Sequence, residues 1–231
     1  MQDNLNSKYK SIVDFLQMSS EIYFNETGIK VKIEIVNDFS FNARVSKIEE
    51  KVYKIEIRHG CLCLENLIEN ITNRYTEDDL KSFWRFRKLN IFEKNAGDTY
   101  REELNQLFGS IILLHIFFHE CGHITAKYID KENGTYAEMQ PSDNGGYEKQ
   151  EQEMVADWLS TKFLYKSMFF ATIGTDKIDF EELLSILEQL TILYWLSLTI
   201  EFQIFDSVHT GDVPDYSLLT HPHPAVRLYY S

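Results

Sequence analysis

Apolar residues recur with helical spacing near the start of the chain, at Ile12, Val13, Phe15, Leu16, Ile22 and Tyr23, and predict a first helix over 8–24. The pattern then changes. VKIEIV (31–36) and VYKIEIR (52–58) alternate apolar and charged side chains, the period of strands with one buried face. Between them Asn37, Asp38, Ser40 and Asn42 mark turns, with room for a short strand around 41–45. The expectation is a small antiparallel sheet over 30–60. Beyond Gly60 the spacing is helical, over about 62–73 and 77–90 and then in a long helix over about 99–128. Asp98 or Thr99 would cap that helix, with Glu102 and Glu103 in its favourable first turn. Residues 130–147 are rich in Asn, Gly, Ser and Asp and read as the longest loop. Helices over 148–170 and 180–205 follow, and the tail THPHPAVRLYYS is loop-like. No repeat or dividing linker is visible. The fold class expected is α+β, mainly α. It forms a single domain over 1–231, with the sheet within about 1–60 and the helical part over about 61–231.

Composition narrows the function. The chain has 231 residues and a net charge of −13, with 44% hydrophobic and few Gly and Pro residues, so it is long enough to bury a core without staples. The acidic balance argues against nucleic acid as a partner, because that binding requires basic surface to displace counterions. KSFWRFRK (81–88) interleaves basic and aromatic residues, and is read as an amphipathic helix with a solvated basic edge. No basic start with an apolar stretch behind it opens the chain, and the cysteines number three, Cys61, Cys63 and Cys121. Both features point to reduced thiols and a cytoplasmic location. Apolar run 111–118 is interrupted by His115; run 190–200 carries Thr and Ser and is flanked by Glu188 and Glu201. Neither run reaches a bilayer's thickness as an unbroken apolar stretch. The second is read as a buried helix, with a membrane-adjacent hairpin as the alternative.

The chemistry concentrates inside the long helix. His119-Glu120-Cys121-Gly122-His123 is an H-E-x-x-H pattern. Positions i and i+4 share one helix face, so two imidazoles can bind one ion, while Glu120 stands beside the first without ligating it. Zinc favours such nitrogen ligands. The preceding GSIILLHIFF is apolar enough for a buried helix, where a preformed site belongs. Gly122 costs up to about 1 kcal/mol of helix propensity, which calls for a reason such as close approach of another element.

A third ligand is needed, and EQEMVAD (151–157) offers Glu153. Asp157, one turn later, can accept the free N–H of a ligating histidine and fix its tautomer. The longer H-E-x-x-H-x-x-G-x-x-H pattern fails, because positions 126 and 129 are Ala126 and Ile129. His115, one turn before His119, is read as a histidine of the core or behind the ligands.

Taken together, HECGH, E-x-x-A-D and a C-terminal Thr220-His221-Pro222 with Arg227 six residues after the histidine are similar to the gluzincin class of zinc metallopeptidases. They resemble in particular the family containing HtpX and the CAAX prenyl protease. The core motif is also shared with the Lit-type phage-exclusion peptidases. The resemblance covers about a third of the chain, 110–165 and 218–230. It implies a zincin-like fold, one Zn²⁺ per chain on His119, His123 and Glu153, and Glu120 as the catalytic carboxylate. It also implies His221 and Arg227 at the cleft. The HtpX-type members are typically membrane-embedded, whereas this chain lacks convincing spans, so a soluble relative fits better.

The mechanism expected is hydrolysis of a peptide bond by a zinc-activated water, with Glu120 as general base and then acid. His221 is the candidate electrophile for the oxyanion, with His223 and a tyrosine as rivals. Arg227 would pair with neighbours or bind a substrate carboxylate. The partner would be an intracellular protein or peptide, and strand 52–58 is a candidate for pairing with it. The competing expectation is a non-catalytic regulatory or binding module, in defence or stress sensing, with a structural or vestigial zinc site.

Overall fold

The structure is a computed structural model, and it describes residues 10–74, 100–127, 135–137, 146–173 and 179–208. The chain is α+β and mainly helical. Helix α1 (Lys10–Thr27) leads into strands β1 (Lys30–Val36), β2 (Ala43–Glu49) and β3 (Val52–Arg58). A single 3₁₀ turn, His59–Leu62, then precedes α2 (Glu65–Thr72). The long helix α3 (Tyr100–Thr125), the short strand β4 (Thr135–Ala137), and helices α4 (Gly146–Ile173) and α5 (Phe180–Val208) follow. The expected second helix over 77–90, with its basic-aromatic segment, lies outside the described residues, as do the proposed caps Asp98 and Thr99.

Local chemistry sets the boundaries. Helix α1 stops at Gly28, which takes φ 68° and donates its N–H to the Phe24 carbonyl at 2.8 Å, the left-handed cap that glycine adopts without strain. Helix α5 starts at Asp179, whose carboxylate accepts the Glu182 N–H at 2.8 Å, a side-chain cap on an otherwise unsatisfied donor. Lys51 takes φ 58° in the turn between β2 and β3.

The sheet differs from the antiparallel one expected. Its order is β1-β3-β2-β4, with β3 parallel to β1 and antiparallel to β2. Sequence alternation specifies which face of a strand is buried; it carries no information about neighbours or direction. The cause lies in residues 37–42, which arch over the end of β3. Asp38 and Asn42 carbonyls accept the N–H groups of Gly60 and Arg58, each at 3.1 Å. Strand β3 therefore slots between β1 and β2. The third strand covers 43–49 rather than 41–45, and the expected long loop contains β4, paired with β2.

Being central, β3 has both edges occupied, which corrects the expectation that 52–58 could pair with a substrate: no ladder hydrogen bonds are left to offer.

One face of the sheet is apolar, with Val31, Ile35, Val45, Tyr53, Ile55 and Ile57 buried. The other carries a charge ladder, Glu34 to Lys54 to Glu56 to Arg44, across three strands. On the apolar face lies α3. Every described residue of α3 from Ile111 to Ile124 is buried, the mark of a helix enclosed on all sides. Burying each of Ile112, Phe117 and Phe118 stabilises the fold by about 1.5–3 kcal/mol. Helix α4 covers α3 on the side away from the sheet, and α5 packs on both.

Two segments, Leu104–Thr125 and Phe180–Ile204, are long and apolar enough to cross a membrane by length and composition; the first is mostly buried within the molecule and the second less than half. The expectation concerned the unbroken apolar runs 111–118 and 190–200, which are shorter than these helices. The helices extend past the unbroken apolar stretches, and their Ser and Thr residues cost little hydropathy.

Gly60 sits where the arch crosses β3, and a Cβ there would overlap the Ser40 and Phe39 carbonyl oxygens, both backbone atoms. Gly60→Ala is therefore expected to destabilise the chain by about 1–3 kcal/mol, measured by urea unfolding. An unchanged unfolding midpoint would mean that the arch is not fixed there.

Candidate metal centre

Histidines 115, 119 and 123 follow each other one turn apart along α3, and all three are buried. Helix α4 runs antiparallel beside them, its buried positions Glu153, Asp157 and Ser160 facing the histidines in reverse order. The helices approach closely because Gly122 has no side chain. A Cβ on it would lie 2.7 Å from the Ala156 carbonyl oxygen and 2.8 Å from its Cα. The helix-weakening glycine thus has its reason in packing, and the resulting distance lets short side chains meet across the gap.

They meet closely. His119 Nε2 lies 3.0 Å from His123 Nε2 and 3.1 Å from Glu153 Oε2, and His123 Nε2 lies 3.5 Å from Glu153 Oε1. One ligand atom from each of the three residues falls within 4.8 Å of the others. This buried group could hold a metal ion. Behind it, Asp157 Oδ1 lies 2.7 Å from His119 Nδ1. An Nδ1–H donated to Asp157 leaves Nε2 as the atom directed at Glu153 and His123, the orientation a metal ligand needs. Burial works against a charged His119, yet Asp157 and then Glu153 outweigh it and hold the imidazole's pKa well above its ordinary value. Two imidazoles and a carboxylate are a donor set suited to borderline divalent ions.

Glu120 is fully buried next to His119. Burial, and secondarily the Glu120 charge, push the Cys121 thiol well above its ordinary pKa, so Cys121 acts as an inert core side chain and not a nucleophile. The end of α3 is pinned by Tyr23 of α1, which lies 2.8 Å from Thr125 Oγ1 and donates to the Cys121 carbonyl at 3.2 Å.

The residues singled out from sequence fall into two groups. His119, His123, Glu153 and Asp157 are brought together, with Glu120 beside them. His221, His223 and Arg227 lie outside the described residues. His115 is fully buried, and its partner was missed: Glu201 of α5, whose Oε1 and Oε2 lie 3.0 and 2.9 Å from His115 Nδ1. A signal did exist. Glu201 has Ser197, Leu198 and Ile204 as its helical neighbours, so it sits on a largely apolar stripe, where a carboxylate must have a partner. Its place at the end of an apolar run made it look like a polar flank.

No family model, no curated protein and no solved structure matches this chain.

Two variants test the centre. Asp157→Ala is expected to weaken metal binding by about 10–100-fold, measured by competition with a chromophoric chelator; unchanged affinity would remove Asp157 from its supporting role. Gly122→Ala is expected to force α4 off α3, lowering both the unfolding midpoint and the metal content. Retention of both would show that the helices approach less closely than described.

Proposed function

We propose that this chain is a zinc-dependent endopeptidase of the zincin type, acting on an intracellular protein or peptide. The observation that carries the reading is the convergence of His119 Nε2, His123 Nε2 and the Glu153 carboxylate, within 4.8 Å of one another and buried, with Asp157 supporting His119 from behind. The helix that bears H-E-x-x-H lies under the sheet, and E-x-x-A-D lies on the helix antiparallel to it, an arrangement consistent with the gluzincin resemblance.

His119, His123 and Glu153 would hold the ion. Zinc bound there would supply Lewis acidity and a water acidified towards neutral pKa. The remaining chemistry belongs to the chain. Glu120, adjacent to the first ligand and enclosed by the core, takes a proton from the water that adds to the peptide carbonyl and returns it to the leaving amine as the C–N bond breaks. Asp157 keeps the Nδ1 proton of His119 in place, so that ring neither flips nor changes tautomer during turnover. The apolar surroundings exclude bulk water and strengthen every charge interaction in the site. The tail residues His221, His223 and Arg227 remain the candidates for oxyanion and substrate contacts.

The depth of burial of the three ligands favours a second reading, a structural or regulatory metal site without hydrolysis. Glu120 separates the two, because a structural site has no use for a general base.

Glu120→Gln is expected to keep the metal and reduce hydrolysis of a peptide library by at least about 100-fold. Cleavage at the unmodified rate would contradict the mechanism. Glu153→Ala is expected to lower zinc occupancy, read by elemental analysis of the purified protein, and full occupancy would remove Glu153 from the ligand set.

A further inference from the structure

Among the described residues outside the triad and its neighbours, the pair His115 and Glu201 is wholly enclosed. His115 is 0% exposed and Glu201 is 1% exposed, and they join the two most apolar helices of the chain. The mechanism above uses neither. Burying such a pair confers little net stability, because the desolvation cost of both groups largely cancels their attraction, and an apolar pair of similar volume often does as well or better. What the pair provides that an apolar contact lacks is direction. A hydrogen-bonded imidazole fixes one helix against another at a single height and rotation.

His115 is held from two sides. Its ring meets Glu201 of α5, while its main-chain carbonyl accepts a hydrogen bond from Ser160 Oγ of α4 at 2.9 Å. Ser160 is one turn beyond Asp157 on the buried stripe of α4, just as His115 is one turn before His119 on α3. The contact at His115 therefore continues the series of facing pairs that includes His119 with Asp157 and His123 with Glu153. Helix α5 is keyed to α4 in the same layer, through the hydroxyl pairs Thr161–Tyr194 and Tyr165–Thr191. The rings of His115 and Tyr194 lie 6.5 Å apart, so both attachments of α5 belong to one buried polar layer.

We propose that Glu201, acting through His115, is a positioning residue for the metal centre: α5 uses the pair to set the height and rotation at which α3 presents His119 and His123 to Glu153. The proposal rests on the metal reading of that triad and is independent of whether the chain cleaves peptides.

The test measures metal binding in the full chain, with zinc affinity from chelator competition and the visible spectrum of the cobalt-loaded protein reporting ligand geometry. Glu201→Leu leaves His115 without its acceptor. The double variant His115→Leu with Glu201→Leu removes both polar groups and puts apolar side chains of similar size in their place, so it tests the site even if the single variant does not fold. Both are expected to bind zinc at least about tenfold more weakly and to shift the cobalt bands, the double variant doing so with an unfolding midpoint close to that of the unaltered chain. Glu201→Gln, which retains an acceptor for Nδ1–H, is expected to restore affinity to within about threefold of the unaltered chain.

A double variant with unaltered affinity and unaltered cobalt bands would overturn the proposal and leave the pair as a core contact. Glu201→Gln as weak as Glu201→Leu would also overturn it, since charge rather than direction would then be responsible. If the unaltered chain binds neither zinc nor cobalt, the metal reading itself fails; if it binds both and the variants match it, only this proposal fails.

Discussion

The structure depends on the contact between α3 and α4, where a row of histidines faces a row of oxygen-bearing side chains inside an otherwise apolar core. Polar groups buried at that depth are costly unless they find partners, and here each buried side chain of the row finds one from the facing helix or from α5. The separation of the two helices governs all of it. Gly122 against Ala156 brings the backbones close enough for Glu153 and Asp157, with short reach, to arrive at the imidazoles. A side chain at Gly122 would widen the gap and draw the carboxylates away from the imidazoles.

The rest of the fold keeps that contact in place. The apolar face of the sheet and helices α1 and α2 also pack against α3, and Tyr23 pins its last turn to α1. With Phe117 and Phe118 fully buried, α3 can neither rotate nor slide without opening cavities, each costing several kcal/mol. The stripe that could hold a metal ion thus sits on a helix buried on all sides among the described residues. That is the preorganisation a metal site requires, because ligands held in place by packing need little further ordering when an ion binds.

Much of this was legible in the sequence, and the gaps have physical causes. The described helices, to within about three residues at each end, and the strands 31–36 and 52–58 followed from periodicity and from turn residues, since these are local signals. The pairing of β1 with β3 was not legible, because it arises from a six-residue arch held by backbone hydrogen bonds to Gly60 and Arg58, which leave no side-chain signature. At the site, His119, His123, Glu153 and Asp157 could be read because helical spacing fixes which residues share a face. Glu201 could not be placed by that logic. Its partner is 86 residues away on another helix, and a single carboxylate at the end of an apolar run looks like a solvated flank until the packing of α5 on α3 is known. Strand β4 was hidden for a related reason: three residues in a polar stretch carry too little alternation to register.

The central claim is that His119, His123 and Glu153 together bind one divalent ion. Anomalous diffraction from crystals grown with zinc, recorded on both sides of the zinc absorption edge, tests it most directly. The account predicts a single strong peak per chain between the two histidine Nε2 atoms and the Glu153 carboxylate. Full zinc loading with the peak elsewhere, or no peak with the three side chains hydrogen-bonded only to one another, would contradict it.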